Sequence, residues 1–375
     1  MNILMIPTWY TNYNEKVMTA GIFHYEQSIA LQKYCNVALY YPNDNSIDKS
    51  FIKNDEKGLI TYRSRFRKNK LLRYYFYYKH FKIIYQDFKP DILHAHVASS
   101  AGKLAVLLGK LYKIPVIITE HNPIELMGLQ KKKNYKLNKF AYKNSKANIC
   151  VSKDSMYRLK EYFPDSKFEV IYNGVINPNS IEKENKIYYK DGYVNFCIVA
   201  AFYSKNIKGY QYLLPAIKKL IDDDFKIILH ICGGGEYLSY YKNLASELGI
   251  ANYCIFYGSC SRKKVYTIIS QMDFSVSASI FECSGVSVQE AMLLGKPLVV
   301  TKSGGANSLV NKTTAIIVDR NSTEALVKGI KKMISILGQF NENKIKEYAY
   351  NNFEIDNVSK QYMKVYKRVM RNSHE

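Results

Sequence analysis

Short apolar runs alternate with amphipathic segments along nearly the whole chain of 375 residues. In the first half, apolar runs occur at 2–7, 37–41, 59–64, 92–95, 115–119 and 149–152, and helical patterns cover 70–88, 99–112 and 135–144. The same alternation begins again at Val194 and continues to about Asp319. Such alternation predicts parallel sheets with helices on both faces. Because the chain is too long for one ordinary core, we expect two such α/β domains.

The polar stretch near the middle of the chain is the predicted domain boundary. Asn173, Gly174 and Val175 follow an apolar strand, and a polar run extends from 180 to 190. We therefore expect a first domain over 1–180 and a second over 181–352. The last segment, 353–375, carries apolar residues at helical spacing and is predicted to be a helix.

The charge and cysteine content restrict the class of protein. The formal net charge is +22, and residues 1–180 hold 28 Lys/Arg against 14 Asp/Glu. This excess suits nucleic acid, an anionic membrane or phosphorylated ligands, and it does not choose among them. The seven cysteines form no C-x-x-C pair, which favours a reducing compartment and argues against structural zinc. Without a signal-peptide pattern or an apolar run of about 18 residues, the chain is predicted to be cytoplasmic.

A basic and aromatic segment extends from Arg63 to Lys89. It holds nine basic residues against one acid, Asp87, and many of its other residues are tyrosine or phenylalanine. This composition fits a helix lying on an anionic membrane, and it equally fits a surface on which nucleic-acid bases stack. A solvated amphipathic helix is the third alternative. The residues singled out for this surface are Arg63, Arg65, Arg67 and Lys68.

Two glutamates flank the predicted start of a helix in the second half of the chain. Glu282 and Glu290 are separated by seven residues, between an apolar run that ends at 279 and another that begins at 297. If the helix begins near Ser284 or Gly285, Glu290 lies almost two turns inside it. The first backbone N–H groups, those of Ser284, Gly285 and Val286, then point out of the helix and predict a phosphate or diphosphate site.

This stretch resembles the signature of the family 4 retaining glycosyltransferases of the GT-B fold. Their E-x-x-G-[IV]-x-x-x-E-A-[ML] pattern is matched by Glu282, Gly285, Val286, Glu290, Ala291 and Met292. The resemblance implies two facing Rossmann-like, doubly wound parallel-sheet domains with an interdomain cleft. It also implies that the terminal helix crosses back to the N-terminal domain.

The resemblance implies several donor-binding residues in the second domain. Lys208 and Gly209 match the lysine-glycine pair whose lysine contacts the donor diphosphate, and Gly234 lies in a turn similar to one that lines the nucleotide pocket. Glu290 is assigned to the ribose hydroxyls and Glu282 to the sugar hydroxyls. One position departs from the family, because Phe202 stands where an arginine usually contacts the diphosphate. Lys205 is the predicted substitute for that missing cation.

In the first domain, candidate residues lie near the predicted carboxyl ends of strands, where ligands of parallel sheets bind. His94, His96 and His121 fall there, and the resemblance places His121 beside the transferred sugar. Gly21 matches the glycine through which the family's backbone approaches the donor phosphates. Glu120 is a weaker candidate for the acceptor side.

The predicted function is a retaining, metal-independent transfer of a sugar from a nucleotide-diphosphate sugar to a saccharide or lipid-linked saccharide, in bacterial cell-surface polysaccharide synthesis. No cofactor and no nucleic-acid partner are expected. The enzyme is predicted to contact the anionic inner face of the cell membrane peripherally. The alternatives are a GT-B sugar-nucleotide epimerase, a non-enzymatic basic nucleic-acid-binding protein and a catalytically idle scaffold.

Overall fold

Two units make up the computed structural model, which describes residues 1–13, 21–181 and 190–374. One unit consists of Met1–Gly174 and Ile355–Glu375, and the other of Val175–Glu354. Residues 182–189 of the predicted linker lie outside the described residues. None of the helices formed by the described residues combines the length and the apolar composition that a membrane crossing needs.

The first unit alternates strands and helices along most of its length, as the sequence predicts. Its elements before the boundary are β1 (Asn2–Ile6), α1 (Ile22–Leu31), β2 (Asn36–Asp44), β3 (Phe51–Glu56), β4 (Leu59–Arg65), α2 (Lys70–Phe88), β5 (Ile92–His96), α3 (Lys103–Tyr112), β6 (Val116–Glu120), α4 (Ile124–Met127), α5 (Lys132–Asn144), β7 (Ala147–Cys150), α6 (Lys153–Tyr162) and β8 (Glu169–Val170). The strands form one eight-stranded sheet in the order β3-β4-β2-β1-β5-β6-β7-β8. All of the pairs are parallel except β3 with β4.

Strand β3 is the element of this sheet that the apolar pattern missed. It lies at the edge of the sheet, and none of its residues is buried. Charged side chains are common on edge strands, where they oppose pairing with another chain. Its sequence, FIKNDE, therefore carries little of the hydrophobic signal that identified the central strands.

The second unit repeats the alternation around a smaller sheet. Its elements are β9 (Val194–Val199), α7 (Tyr210–Asp222), β10 (Ile227–Cys232), α8 (Leu238–Glu247), β11 (Cys254–Gly258), α9 (Arg262–Gln271), β12 (Phe274–Ser277), α10 (Val286–Leu293), β13 (Leu298–Thr301), α11 (Gly305–Ser308), β14 (Ala315–Val318), α12 (Thr323–Ile336) and α13 (Glu342–Phe353). The sheet has six parallel strands in the order β11-β10-β9-β12-β13-β14. The predicted parallel α/β fold class is confirmed in both units.

The terminal helix, α14 (Ile355–His374), packs within the first unit. Its buried residues, among them Val358, Tyr362 and Tyr366, share a core with Ile3 and Met5 of β1. The hydroxyl of Tyr366 also lies 2.8 Å from Nδ1 of His94, which is fully buried in the middle of β5. The helix therefore covers apolar side chains of the sheet and satisfies one of its buried polar groups.

Gly209 offers a test of how tightly the second unit is packed. It has a φ of +72°, and a Cβ atom at this position would lie 1.9 Å from the carbonyl oxygen of Ala278. Gly192 has a similar φ of +75° but no atom within 4 Å of that position. We expect Gly192→Ala to lower the free energy of unfolding by about 1 kcal/mol through backbone strain alone. Gly209→Ala should lower it by roughly 2–5 kcal/mol, because steric overlap adds to that strain.

Urea unfolding of the two variants beside the unaltered chain measures the difference. Equal losses of unfolding free energy in the two variants would show that the backbone around Ala278 moves to accommodate the added methyl group.

Candidate active site

The loop that carries Glu282 is held by the backbone of a neighbouring loop. The N–H of Glu282 donates to the carbonyl of Ser303 at 2.9 Å, and the N–H of Gly305 donates to the carbonyl of Glu282 at 2.7 Å. A Cβ atom on Gly305 would lie 2.2 Å from the carbonyl carbon of Cys283. Only glycine allows this approach, which ties the loop after β12 to the loop after β13.

Lys208 and Glu282 come together although 73 residues separate them in the chain. Nζ of Lys208 lies 2.5 Å from Oε1 of Glu282, and Oγ of Ser279 donates to the same oxygen at 2.8 Å. The side chains are 29% and 19% exposed, so the pair is largely buried but still in contact with solvent. The close packing of Gly209 on Ala278 fixes the backbone beside Lys208.

Glu290 lies in the second turn of α10 and is almost completely buried. Its Oε1 is 3.3 Å from Nη1 of Arg262 and 3.4 Å from the hydroxyl of Tyr266. Burial raises the pKa of the Glu290 carboxyl, while the charge of Arg262 and the hydrogen bond from Tyr266 lower it. Arg262 is not predicted as a partner of Glu290 from the sequence, because 27 residues lie between them in the chain.

The start of α10 combines backbone donors with hydroxyl groups. Gly285 precedes the helix with a φ of +127°, a conformation that favours glycine. The first N–H groups of an α-helix have no acceptor within the helix. Ser284 and Ser303 are also buried, and their Oγ atoms have no hydrogen-bond partner among the described residues. The start of α10 thus offers backbone N–H groups next to the hydroxyl of Ser284, donors of the kind that bind a phosphate group.

Phe202 occupies the position at which the family pattern has an arginine, and Lys205 is the cation predicted to replace that arginine. Phe202 is fully buried and stacks on Tyr210, with ring centroids 4.2 Å apart. The position at which the family has an arginine is therefore part of the core. Nζ of the exposed Lys205 lies over the ring of Tyr240, 4.3 Å from its centroid. A contact from Lys205 to a diphosphate stays a prediction.

Gly234 lies in a turn that packs closely on the next loop. A Cβ atom at this position would lie 1.9 Å from Oγ of Ser259, and one on Gly235 would lie 2.5 Å from the carbonyl carbon of Phe202. The turn after β10 is therefore fitted against the loops that follow β11 and β9. Its glycines are required by packing within the second unit.

His121 lies in the first unit, immediately after β6, where the sequence analysis expected it. Its Nε2 is 2.8 Å from Nδ1 of His96, which ends the neighbouring strand β5. Burial lowers the pKa of His121 to about 3, so the imidazole is neutral near pH 7. Gly21 precedes α1 with a φ of +69°, and a Cβ atom there would lie 2.9 Å from the carbonyl oxygen of Trp9. The close approach at Gly21 is thus to the chain's own backbone.

Glu120 was expected on the acceptor side, and the structure corrects this expectation. Its carboxylate is buried and accepts hydrogen bonds from the backbone N–H groups of Ala98, His121 and Asn122 and from the hydroxyl of Tyr142. A carboxylate with four internal donors has little capacity left for a ligand. Glu120 therefore positions the backbone beside His121.

Arg63 was expected on a membrane-facing surface, and this expectation is wrong. The side chain is 1% exposed, with Nη1 lying 2.5 Å from Asp44 and Nε lying 2.7 Å from Glu56. Burial was not visible in the sequence because Arg63 lies in a basic run but on the inward side of β4. Of the other predicted basic residues, Arg65 and Lys68 are exposed and Arg67 is half-buried with its guanidinium on the ring of Phe76.

Comparison with known proteins follows the division into two units. Residues 180–352 match the family model described as glycosyl transferases group 1, and residues 25–176 match glycosyltransferase family 4. An uncharacterized glycosyltransferase of Methanocaldococcus jannaschii is 30% identical over 260 residues, which cover 69% of each chain. The UDP-Gal:alpha-D-GlcNAc-diphosphoundecaprenol alpha-1,3-galactosyltransferase of Escherichia coli is 25% identical over 280 residues, 68% of this chain and 71% of that protein.

Solved structures support the same fold. Sucrose-phosphate synthase from Thermosynechococcus elongatus superposes with a TM-score of 0.78 over 99% of each chain, at 15% sequence identity. The chain spans 55% to 71% of the length of the first four curated relatives that it matches.

The buried Arg63 provides a stability test. Arg63→Met leaves the carboxylates of Asp44 and Glu56 without their cation, and removing one partner of a buried ion pair costs about 3–5 kcal/mol. Arg65→Met, two residues along the same strand, removes an exposed guanidinium and should change stability by about 0.5 kcal/mol or less. Urea unfolding at pH 7 measures both values, and comparable losses would contradict the structural role of Arg63.

Proposed function

The chain belongs to the group 1 glycosyltransferases, which have the GT-B fold, and we propose that it transfers a sugar, with retained configuration, from a nucleotide-diphosphate sugar to a saccharide or lipid-linked saccharide. The observation that carries this proposal is the contact between Lys208 and Glu282, three residues before the glycine that opens α10. A cation, an acid and a set of oriented donors are thus collected in one partly open place.

In the proposed donor complex, the diphosphate binds at the start of α10. The backbone N–H groups of Gly285 and Val286 and the hydroxyl of Ser284 donate to its oxygens. Nζ of Lys208 then stabilises the negative charge that develops on the diphosphate as the sugar leaves. Glu282, whose Oε1 accepts from Lys208, has a second oxygen with which to accept from a sugar hydroxyl.

Glu290 is assigned to the ribose of the donor. Arg262 and Tyr266 hold Oε1 of Glu290, which leaves Oε2 as the oxygen to accept from the ribose hydroxyls. The low exposure of Glu290 makes such a hydrogen bond to a charged acceptor comparatively strong.

The transfer step needs no covalent intermediate with the protein. The bond from the anomeric carbon to the diphosphate oxygen breaks, and the acceptor oxygen bonds to that carbon on the same face of the sugar. The departing phosphate oxygen takes the proton of the acceptor hydroxyl. In the first unit, the neutral imidazole of His121 is assigned to a hydroxyl of the transferred sugar, and Gly21 to the donor phosphates.

We propose that this transfer is independent of metal ions, because Lys208 and the helix donors supply the positive charge that an ion would otherwise provide. We also propose a lipid-linked acceptor, which is supported by the diphosphoundecaprenol substrate named for the Escherichia coli relative. We further propose that the reaction belongs to cell-surface polysaccharide synthesis.

Membrane contact is proposed for one end of α2 rather than for the whole basic segment. The exposed fractions of Leu71, Leu72 and Tyr75 are 82%, 51% and 59%, which are high for large apolar side chains. Exposed lysines surround them. We define the α2 docking surface as Lys68, Lys70, Leu71, Leu72, Tyr75 and Lys79. Its mixture of lysine and exposed apolar side chains suits an anionic bilayer, with the apolar groups below the headgroups.

Donor binding is the first prediction to test. A thermal-shift screen against nucleotide diphosphates identifies the base, and titration calorimetry then gives its affinity. Glu290→Gln should weaken that affinity roughly 10–100-fold, because hydrogen bonds to a charged group contribute about 1.5–3 kcal/mol. Glu247→Gln, at an exposed end of α8, is the control and should bind normally. An unchanged affinity in Glu290→Gln would refute the ribose assignment.

Lys208→Met should lower kcat/KM about 10²–10³-fold, as when one oriented charge donor is lost. The assay measures hydrolysis or transfer of the donor identified in the screen. Adding a chelator should leave the rate of the unaltered chain unchanged. Lys218→Met, which removes an exposed lysine of α7, serves as the control. Near-normal turnover in Lys208→Met would reject the proposed role, and interconversion of the sugar without acceptor would instead favour an epimerase.

Vesicle co-sedimentation tests the α2 docking surface. Replacing Lys68, Lys70 and Lys79 by serine should weaken binding to anionic vesicles about 100-fold, since each lysine near such a surface contributes about 1 kcal/mol. Replacing Lys131, Lys132 and Lys133 by serine removes the same charge elsewhere in the first unit. Equal effects of the two triple variants would show that net charge, and not this surface, governs binding.

A further inference from the structure

Three histidines meet at the carboxyl edge of the sheet in the first unit. His24 lies in the first turn of α1, His96 ends β5 and His121 follows β6. One ring nitrogen from each histidine lies within 4.8 Å of the corresponding atoms of the other two. The proposed glycosyl transfer uses His121 and leaves His24 and His96 without a role.

The imidazoles of this cluster are incompletely hydrogen-bonded. Both ring nitrogens of His24 and Nε2 of His96 are buried, and within residues 1–13, 21–181 and 190–374 they have no hydrogen-bond partner. A buried polar atom without a partner costs free energy and calls for a ligand, a water or an ion. His94, only two residues from His96, differs in this respect, because Tyr366 and Thr119 lie 2.8 and 2.7 Å from its two nitrogens.

Neutral imidazole is the form of histidine that binds metal ions. Burial lowers the pKa of His121 to about 3 and the pKa values of His24 and His96 well below the usual range, so each ring retains a lone pair near pH 7. Aromatic rings surround the cluster, with Phe23 4.0 Å and Trp9 5.8 Å from His24 between ring centroids. The cluster thus presents nitrogen ligands inside an apolar wall.

We propose that His24, His96 and His121 form a binding site for a divalent transition-metal ion of the zinc class. Three imidazole nitrogens with a fourth position for solvent or substrate match the ligand set of open zinc sites. Bonds of about 2.0–2.1 Å to one ion place the nitrogens closer together than 4.8 Å, so the rings rotate inward on binding.

Metal binding has a regulatory consequence, which rests on the proposed function of His121. An ion that occupies the lone pair of His121 withdraws this imidazole from the sugar hydroxyl. Zinc therefore inhibits a transfer that itself requires no metal. The site provides a way for metal availability to control the enzyme.

Cobalt(II) is a suitable probe because its visible absorption reports both geometry and ligand type. The full chain without an affinity tag should bind one equivalent of Co²⁺ with the intense bands of a four-coordinate site and without thiolate charge-transfer absorption. Zn²⁺ should displace it. Failure of the unaltered chain to bind Co²⁺ or Zn²⁺ stoichiometrically would overturn the proposal, whatever the variants do.

Matched histidine variants locate the site. His24→Phe and, as a second replacement of different size, His24→Leu should each weaken Co²⁺ binding by roughly 10–100-fold or more, since perturbing even the surroundings of a metal site has an effect of that size. His80→Gln is the control, because His80 is a buried histidine of the same unit whose ring nitrogens contact Ser64 and Ser50. Circular dichroism verifies folding, and unchanged affinity in a folded His24 variant would overturn the site.

Inhibition is measured separately from binding. Zn²⁺ should reduce donor hydrolysis in the unaltered chain and in His80→Gln, and the fractional reduction should be much smaller in the His24 variants. Stoichiometric metal binding by a chain without transferase activity would refute the proposed function and leave the metal site intact. Transfer activity in a chain that binds no metal would refute the metal site and leave the proposed function intact.

Discussion

The backbone pairing between the Glu282 loop and the Ser303–Gly305 loop is the constraint on which the donor site depends. Its two hydrogen bonds, of 2.9 and 2.7 Å, fix the main chain from which Glu282 projects. Gly305 makes this approach possible, because any side chain there would meet the carbonyl carbon of Cys283. Gly209, packed on Ala278, fixes the backbone beside Lys208, so only the side chains of Lys208 and Glu282 have to be ordered when their ion pair forms. The site is therefore preorganised before a ligand arrives.

Buried polar groups in the first unit serve two different purposes. Glu120 and Arg63 are saturated with internal partners, so they stabilise the backbone and are closed to ligands. His24 and His96 are equally buried, but they keep ring nitrogens without partners among the described residues. The degree of hydrogen-bond satisfaction, and not burial alone, distinguishes a structural polar group from one available for binding.

The basic residues of the chain likewise lie in two kinds of environment, packed against protein or exposed to solvent. Arg63 lies inside an ion-pair network, and Arg67 packs its guanidinium on Phe76 at 3.8 Å from the ring centroid. Lys68 and Lys70, next to the exposed Leu71 and Leu72, remain in solvent. A formal charge of +22 is thus a poor guide to function until each cation has been placed.

The sequence by itself determined the parallel α/β fold class, most central strands, the start of α10 and the motif residues Lys208, Glu282 and Glu290, because periodicity, glycine positions and short motifs are local signals. It did not reveal the edge strand β3 or the burial of Arg63 and Glu120. Only the tertiary structure decided that Arg262 meets Glu290, and that His24 meets His96 and His121. These partners are distant in the chain, and their contacts follow from how strands and helices pack, which no local pattern of residues records.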